Sequence, residues 1–511
     1  MIGIKENFRK NDFWLIFMMA VFTFWLYFPS LSYEFIHSLD DDWYIKDNAF
    51  IKDFSLRGVY NLFFVDTTDL HYHPVTFLSL MIDYQLFGLN PMGYKIHNLL
   101  LHIACGIVIY LLLIKLSKNR FLSFFTAIIF LIHPLNMESV IWASCRRQSL
   151  SHFFFLTSVY FILISFYNVN KKRLYFIISL FLMILSILSK ASAIILPFIL
   201  LLIYFVVNKR ITKEFFIKFL FLISLSIVFI VLNENANERN YLKREFDYSY
   251  FEHFIFAGYT YFFYWFKSIF MFPIGVFYPA PSENLQFLPL QYYLFFLGTV
   301  LLIVLMIYHF IRKQYLHFFA LMYFSLTIGP FLNLIFFPLG DLPMLVSNRY
   351  FYQSSLGVLL YFGLIINSVF KFNNSLKYVS LVVVVLFCSL FFRYQMPIWK
   401  DSISLMKNTV QYFPSEDFYY RLAIEYYESN QLNKAVENIN KGDELGTNIW
   451  INHDWYFYCK RALVYNLSGN YSKARSDIDL AILKADGEKR ILSAINKYSN
   501  QIENENLVLE N

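Results

Sequence analysis

Charge is what this sequence has least of. Only 15% of its 511 residues are Asp, Glu, Lys or Arg, and 58% are hydrophobic, whereas a soluble chain carries about 25% charged residues. A chain this long and this poor in charge cannot cover an aqueous surface, which excludes a soluble globular protein and leaves a polytopic membrane protein. Cysteine is scarce too: Cys105, Cys145, Cys388 and Cys459 lie far apart without CxxC spacing, so neither a metal cluster nor a disulfide framework is indicated. The first apolar run follows Lys5, Arg9 and Lys10, spans 13–33 and has no small-residue cleavage site behind it, which reads as a retained anchor. The net charge of +7 would point to nucleic acid in a soluble domain. Here the basic residues sit in short clusters between apolar runs, and no nucleic-acid partner is expected.

A bilayer-crossing helix needs about 20 mostly apolar residues. Eleven segments qualify: 13–33, 96–114, 121–137, 149–170, 174–189, 191–208, 215–233, 290–311, 315–337, 350–370 and 378–392. A twelfth, 254–272, is interrupted by Lys267 and followed by Pro273, Pro279 and Pro281. If it does not cross, alternate loops collect Lys5, Arg9, Lys10, Lys115, Lys118, Arg120, Lys171, Lys172, Arg173, Lys209, Arg210, Lys213, Arg312, Lys313, Lys371 and Lys377. By the positive-inside rule those loops are cytoplasmic; were the segment to cross, the last two clusters would move outside. It is therefore read, within 254–289, as a re-entrant or interfacial stretch buried against protein. Residues 34–95 then form a large outer loop. Its stretches 56–65 and 75–89, the second carrying Asp83, are too short to span and read as helices lying in the interface.

The expected fold is all-α, with a membrane domain over 1–398. After Trp399 the composition turns polar. Tyr419, Leu422, Ala423, Tyr426, Ala435, Ile439 and Gly442, then Tyr458, Ala462, Tyr465, Gly469, Tyr471, Ala474, Ile478 and Ala481, fall at the key positions of two tetratricopeptide repeats, in which small residues let paired helices approach. The usual Pro near each repeat end is missing, and the junction 446–455 holds about five extra residues. A generic helical hairpin is the alternative. Two repeats are fewer than the three or so a free solenoid needs, so residues 399–497, on the outer side, are expected to lean on the membrane domain, followed by a polar tail, 498–511.

The informative charges are on the outer face. Asp40, Asp41 and Asp42 follow the first span; adjacent carboxylates raise one another's pKa, a cost that makes sense if one serves as base or ligand, the alternative being a hydrated loop start. Tyr72, His73, His97, His102 and His133 come next, with Glu138, Arg146, Arg147, Lys190, Arg349 and Tyr350 on later outer turns. Ionisable residues at membrane depth are costly and usually functional, although a lone His such as His102 or His133 also fits a hydrogen-bonded structural role. Arg146, Arg147, Lys190 and Arg349 suit a phosphorylated group, with snorkelling at the interface as the alternative.

The order of these strings resembles the transmembrane O-mannosyltransferases with tetratricopeptide repeats, the TMTC type, and their bacterial relatives in the GT-C class of glycosyltransferases. The family's Asp-Asp-x-x-aromatic-Ile/Val-x-x-Asn string is matched by Asp40, Asp41, Tyr44, Ile45 and Asn48; its Tyr-Arg-Pro-Leu-Thr string recurs with His73 where Arg is usual. Gly93 to His102, His133 to Arg146, Ser189-Lys190 and Arg349 to Gly357 supply four more. The resemblance implies inverting transfer of one sugar from a polyprenyl-phosphate-linked donor to an acceptor hydroxyl at a site outside the cytoplasmic face, in a bacterial inner membrane. In that reading Asp40 is the base, and Asp41 or Glu138 orients the acceptor or the base. Arg146, Arg147, Lys190 and Arg349 hold the donor phosphate, with Asp42, Tyr72, His73, His97, His102, His133 and Tyr350 as further substrate contacts. A cofactor is not required and a divalent metal is left open; the repeats would hold an acceptor protein. Competing readings are the same chemistry on a glycolipid or polysaccharide, a lipid-linked sugar transporter, and a membrane scaffold. Neither internal repeats in the spans nor midplane charges, which a transporter would favour, are evident.

Overall fold

The computed structural model describes residues 10–64, 72–237, 249–271, 275–276, 278–279, 287–332, 344–445, 455–485 and 489–509. Lys5 and Arg9, the end of 315–337, much of 272–286 and the repeat junction 446–454 lie outside these residues.

Among the described residues the secondary structure is helical, apart from a two-stranded antiparallel ladder of β1 (Tyr278–Pro279) and β2 (Met344–Val346). Helix α1 (Lys10–Tyr27) leads to the first outer loop, which carries α2 (Leu56–Phe64) and α3 (Pro74–Phe87). Then come α4 (Pro91–Ser117), α5 (Arg120–Ile132), the short α6 (Glu138–Ile141), α7 (Arg146–Ser165), α8 (Lys172–Ser189), α9 (Leu196–Asn208), α10 (Lys213–Asn237) and α11 (Tyr250–Ile269). The remaining membrane helices are α12 (Leu290–Ile311), α13 (Tyr315–Ile328), α14 (Asn348–Val369) and α15 (Asn374–Gln395). Among the described residues nine helical segments are long and apolar enough to cross a membrane. A tenth would be α5 taken with 134–141, bent by 54° at His133, while Tyr315–Phe331 is a shorter apolar stretch. Each of the eleven segments read from the sequence thus falls on an apolar helix, but nine, or ten with the bent pair, have the length and apolarity to cross. The protein is an integral membrane protein, and Leu297, Leu301 and Val304 on α12 or Val379, Val383 and Leu386 on α15 face outward, as lipid requires.

Sequence-local signals set the turns. Asn119 caps α5 and Asn373 caps α15 through their side-chain oxygens, satisfying amides a helix start leaves open. Helices α4, α9 and α12 close on Lys118 (φ 55°), Lys209 (φ 60°) and Lys313 (φ 56°) in the left-handed region, where each ammonium also lies near a helix C-terminus. Those basic turns meet one another. Lys172 pairs with Glu214 (3.4 Å), Lys209 lies 4.0 Å from the Tyr315 ring, Asn119 and Lys377 share Asn367, and Arg120 pairs with the buried Asp12 (2.9 Å). The described members of the clusters expected on one face therefore share one end of the bundle.

Helix α11 is absent from the span candidates. Its Phe254, Phe256, Tyr259, Phe262 and Phe266 all meet residues 292–298 of α12, and Gly258 and Gly298 allow this contact because a Cβ on either would strike a phenylalanine ring. The helix packs closely on the first half of α12, where the Thr299 hydroxyl donates to the Gly258 carbonyl (2.6 Å).

The first outer loop has its own small core, Phe35, Tyr44, Ile45, Ile51, Leu62, Phe77, Leu80, Met81, Tyr94 and Ala143. Helix α2 turns Gly58 and Leu62 inward and Leu56, Tyr60 and Phe64 outward, a stripe at i, i+4 and i+8. At the other end of the chain α16 (Ser402–Tyr412), α17 (Glu416–Glu428), α18 (Leu432–Leu445), α19 (Trp455–Leu467), α20 (Tyr471–Lys484) and α21 (Lys489–Leu509) follow. Ala423, Ala435, Ile439, Ala462, Ala474 and Ala481 are buried among them. Phe413 reaches the Tyr278 ring (5.2 Å), and the Glu34 amide donates to the Lys400 carbonyl (3.0 Å), so these helices are seated on the outer loops.

Candidate functional site

The triple acid folds into three different environments. Asp41 is buried: its two carboxylate oxygens accept from the Ile36 and Ser144 amides, both at 2.8 Å. Burial raises its carboxyl above the usual range, and those backbone bonds oppose the shift. Asp42 opens a π-helical turn, Asp42–Lys46, a geometry frequent at functional sites. It pairs with His37 (2.5 Å) and lies 3.7 Å from Lys46; its bond draws the His37 pKa upward. Asp40 alone keeps an accessible carboxylate, 44% exposed, facing Arg147 at 3.3 Å.

Neighbouring arginines are likewise divided. Successive helix positions point about 100° apart, so Arg146 and Arg147 at the start of α7 serve different surroundings. Arg146 is 1% exposed and donates to Asn98 (2.5 Å), Ser79 (2.7 Å), Asp83 (2.5 Å) and the Tyr94 carbonyl (3.0 Å). Asp83, itself fully buried, also pairs with His97. These bonds join α3, α4 and α7, and a phosphate contact from Arg146 would require breaking them. Arg147 instead donates to the Tyr44 hydroxyl (2.5 Å), lies over that ring (5.1 Å) and faces Asp40.

Two more cations complete the group. Lys190, in the turn after α8, bonds Gln148 and lies over the Phe331 (5.2 Å) and Tyr350 (5.8 Å) rings. Its pKa falls to about 7, chiefly through burial and then through repulsion by Arg147 and Arg349, with Glu138 opposing. Arg349, at the start of α14, pairs with the buried Glu138 (3.2 Å) and lies over Trp142 (5.7 Å) and Tyr350 (5.4 Å). The Thr76 hydroxyl donates to the Ser189 carbonyl (2.9 Å), tying the first outer loop to the Lys190 turn. Asp40, Glu138, Arg147, Lys190 and Arg349 are thus one electrostatic group, and carboxylate beside clustered cations is what transfer from a phosphate leaving group needs.

The remaining candidates are placed elsewhere. His102 uses both ring nitrogens, with the Tyr352 hydroxyl (2.8 Å) and the Leu131 carbonyl (2.9 Å). His133 accepts from the Leu135 amide and donates to the Ser268 carbonyl, both at 3.2 Å. Both are buried and are held as structural residues. Tyr72 donates to the Phe63 carbonyl (3.0 Å), His73 is buried at the start of α3, and Tyr350 stacks on Phe331 (4.1 Å). Sequence reading did not select Tyr44, Trp142, Gln148 or Phe331 as site residues. Tyr44 and Trp142 lie within family strings, whereas nothing local marks Gln148 or Phe331. Among the described residues no three His, Cys, Asp or Glu side chains converge as metal ligands.

Fold and site define an all-helical polytopic membrane protein with a carboxylate and cation group at one end. The chain is similar to curated proteins of the TMTC type. Human TMTC1, a protein O-mannosyl-transferase, is 31% identical over 143 residues, 25% of this chain and 16% of its own. Human TMTC3, named likewise, is 33% identical over 87 residues, 17% of this chain and 9% of its own. An uncharacterised protein of Aquifex aeolicus is 24% identical over 170 residues, about a third of each chain. The match thus spans less than a fifth of each human relative. No family model matches, and no solved structure matches significantly.

Proposed function

We propose that this protein is an inverting glycosyltransferase that moves one sugar, mannose or another hexose, from a polyprenyl-phosphate-linked donor to a protein Ser or Thr hydroxyl. The observation that carries the reading is the accessible Asp40 carboxylate beside Arg147, with Lys190 and Arg349 in the same electrostatic group. The relatives named as protein O-mannosyl-transferases support it. The acceptor oxygen attacks the anomeric carbon from the side opposite the phosphate. Its proton passes to Asp40, and the bond to the phosphate oxygen breaks with its electron pair leaving on polyprenyl phosphate. Arg147, Lys190 and Arg349 stabilise that departing charge, and Tyr44, Trp142 and Tyr350 wall the cations. Glu138 holds Arg349 in place, Asp41 fixes the acid loop, and Arg146 with Asp83 and His97 braces the site from behind.

In this reading residues 1–398 form the catalytic membrane domain, with α2 and α3 of loop 34–95 in the interface and 254–289 re-entrant or interfacial. Residues 399–497 form a repeat domain that holds the acceptor, followed by the tail 498–511, into which α21 continues as far as Leu509. The site faces the periplasm of a bacterial inner membrane. The test is transfer of radiolabelled sugar from polyprenyl phosphate to a Ser/Thr peptide in proteoliposomes. Label on the peptide is expected; label reaching only a glycolipid or polysaccharide would replace the acceptor, and intact donor appearing across the membrane would make the protein a transporter. Since three cations suffice to neutralise a monophosphate, transfer is expected to continue in excess EDTA; loss restored by Mg2+ would add a metal.

A further inference from the structure

The acid run is gripped from two sides. On the membrane side Lys95 donates to the Tyr33 (2.5 Å) and Glu34 (2.8 Å) carbonyls, and Asp41 takes the Ile36 and Ser144 amides. On the other side Ser38, two residues before Asp40, has both backbone groups held by the C-terminal helices. Its amide donates to the Ser402 hydroxyl (3.2 Å), and its carbonyl accepts from Arg421 (3.3 Å), which is itself fixed by Asp417 (3.0 Å). One turn beyond Arg421, Glu425 is buried against the loop, within electrostatic reach of His37 and Asp42.

We propose that the C-terminal helices set the position of Asp40, with Ser402 and Arg421 as positioning residues and Glu425 as the group that loosens their junction with the acid loop. The inference rests on the reading of Asp40 as the proton acceptor. A base displaced by about 1 Å loses about 100-fold in rate, so a domain holding the backbone two residues away is part of the catalytic apparatus.

The groups that act on Glu425 are His37 and Asp42 of the loop, Ser402 of α16 and Glu428 of its own helix, with Lys46 acting on His37 and Lys460 pairing with Glu428. Burial, then Glu428, raise its carboxyl to about 8, with His37 opposing and Asp42 adding. A free carboxyl ionises near 4.5. The undocked form therefore gains charge first, so the junction weakens as pH climbs from about 4.5 to about 8 and weakens no further above that.

The experiment uses full-length protein in proteoliposomes. Arg421→Ala is expected to lower kcat about 10- to 100-fold with KM for donor and acceptor within about twofold, Arg421→Lys to fall between, and the Ile36 and Ser38 amides to exchange at least about tenfold faster in Arg421→Ala. Glu425→Gln is expected to flatten the decline of kcat between pH 6 and 8. Wild-type kcat in Arg421→Ala, with Asp40→Asn inactive, would overturn the positioning role and leave the base in place; wild-type transfer by Asp40→Asn would remove the base reading itself. If Arg421→Ala does not fold, an unaltered pH profile in Glu425→Gln overturns the proposal.

Discussion

The two ends of the bundle use the same residue types for different ends. At the basic end Lys118, Lys172, Lys209, Arg210, Arg312, Lys313 and Lys371 are exposed, with surface contacts such as Lys172 with Glu214, and Arg120, which pairs with the buried Asp12, is the exception there. At the acid-loop end Arg146, Arg147 and Arg349 are 1–12% exposed by side chain and each meets a carboxylate. Exposed cations cost nothing to keep and orient a chain. Buried ones are retained only with partners, because desolvation of a charge costs several kcal/mol. Burial with partners, rather than charge alone, separates the cations of the two ends.

The sharpest way to break this comparison lies within the acid-loop end. Arg146→Ala leaves Asp83 buried with a lost partner and should destabilise the fold by about 3–5 kcal/mol, read as loss of monodisperse protein or a lower melting temperature. Arg147→Ala should keep the fold and lower transfer about 100- to 1000-fold. Equal behaviour of the two variants would show that bracing and phosphate contact are not divided as described. Lys190 gives a graded effect. Only its charged form attracts the donor phosphate, so donor KM should rise above pH 7 by up to about tenfold per unit, and Lys190→Arg should hold KM flat. The smallest effect belongs to the basic end: Lys313→Ala should change stability by less than about 0.5 kcal/mol and transfer by less than twofold.

Much of this division was legible in the sequence, and the remainder was hidden for a physical reason. Apolar length located the spans, because a helix in lipid has one way to satisfy its backbone; basic clustering grouped the turns that now meet. The acid run and the outer cations were visible as charges where charge is expensive. Which of two adjacent arginines faces the site was not visible, since that depends on where Asp83 and Asn98 lie around α7. Asp83 itself showed only as a lone acid in a short apolar stretch. Ser402, Arg421 and Glu425 carried no local signal at all, because their meaning comes from Ser38, more than 360 residues away in the chain.

The account turns on Asp40 as the one accessible member of the acid run. The direct measurement is sugar transfer from polyprenyl phosphate to a peptide by wild type and Asp40→Asn at equal amounts of folded protein. The account predicts a loss of about 100- to 10,000-fold with unchanged donor binding; transfer at the wild-type rate would contradict it.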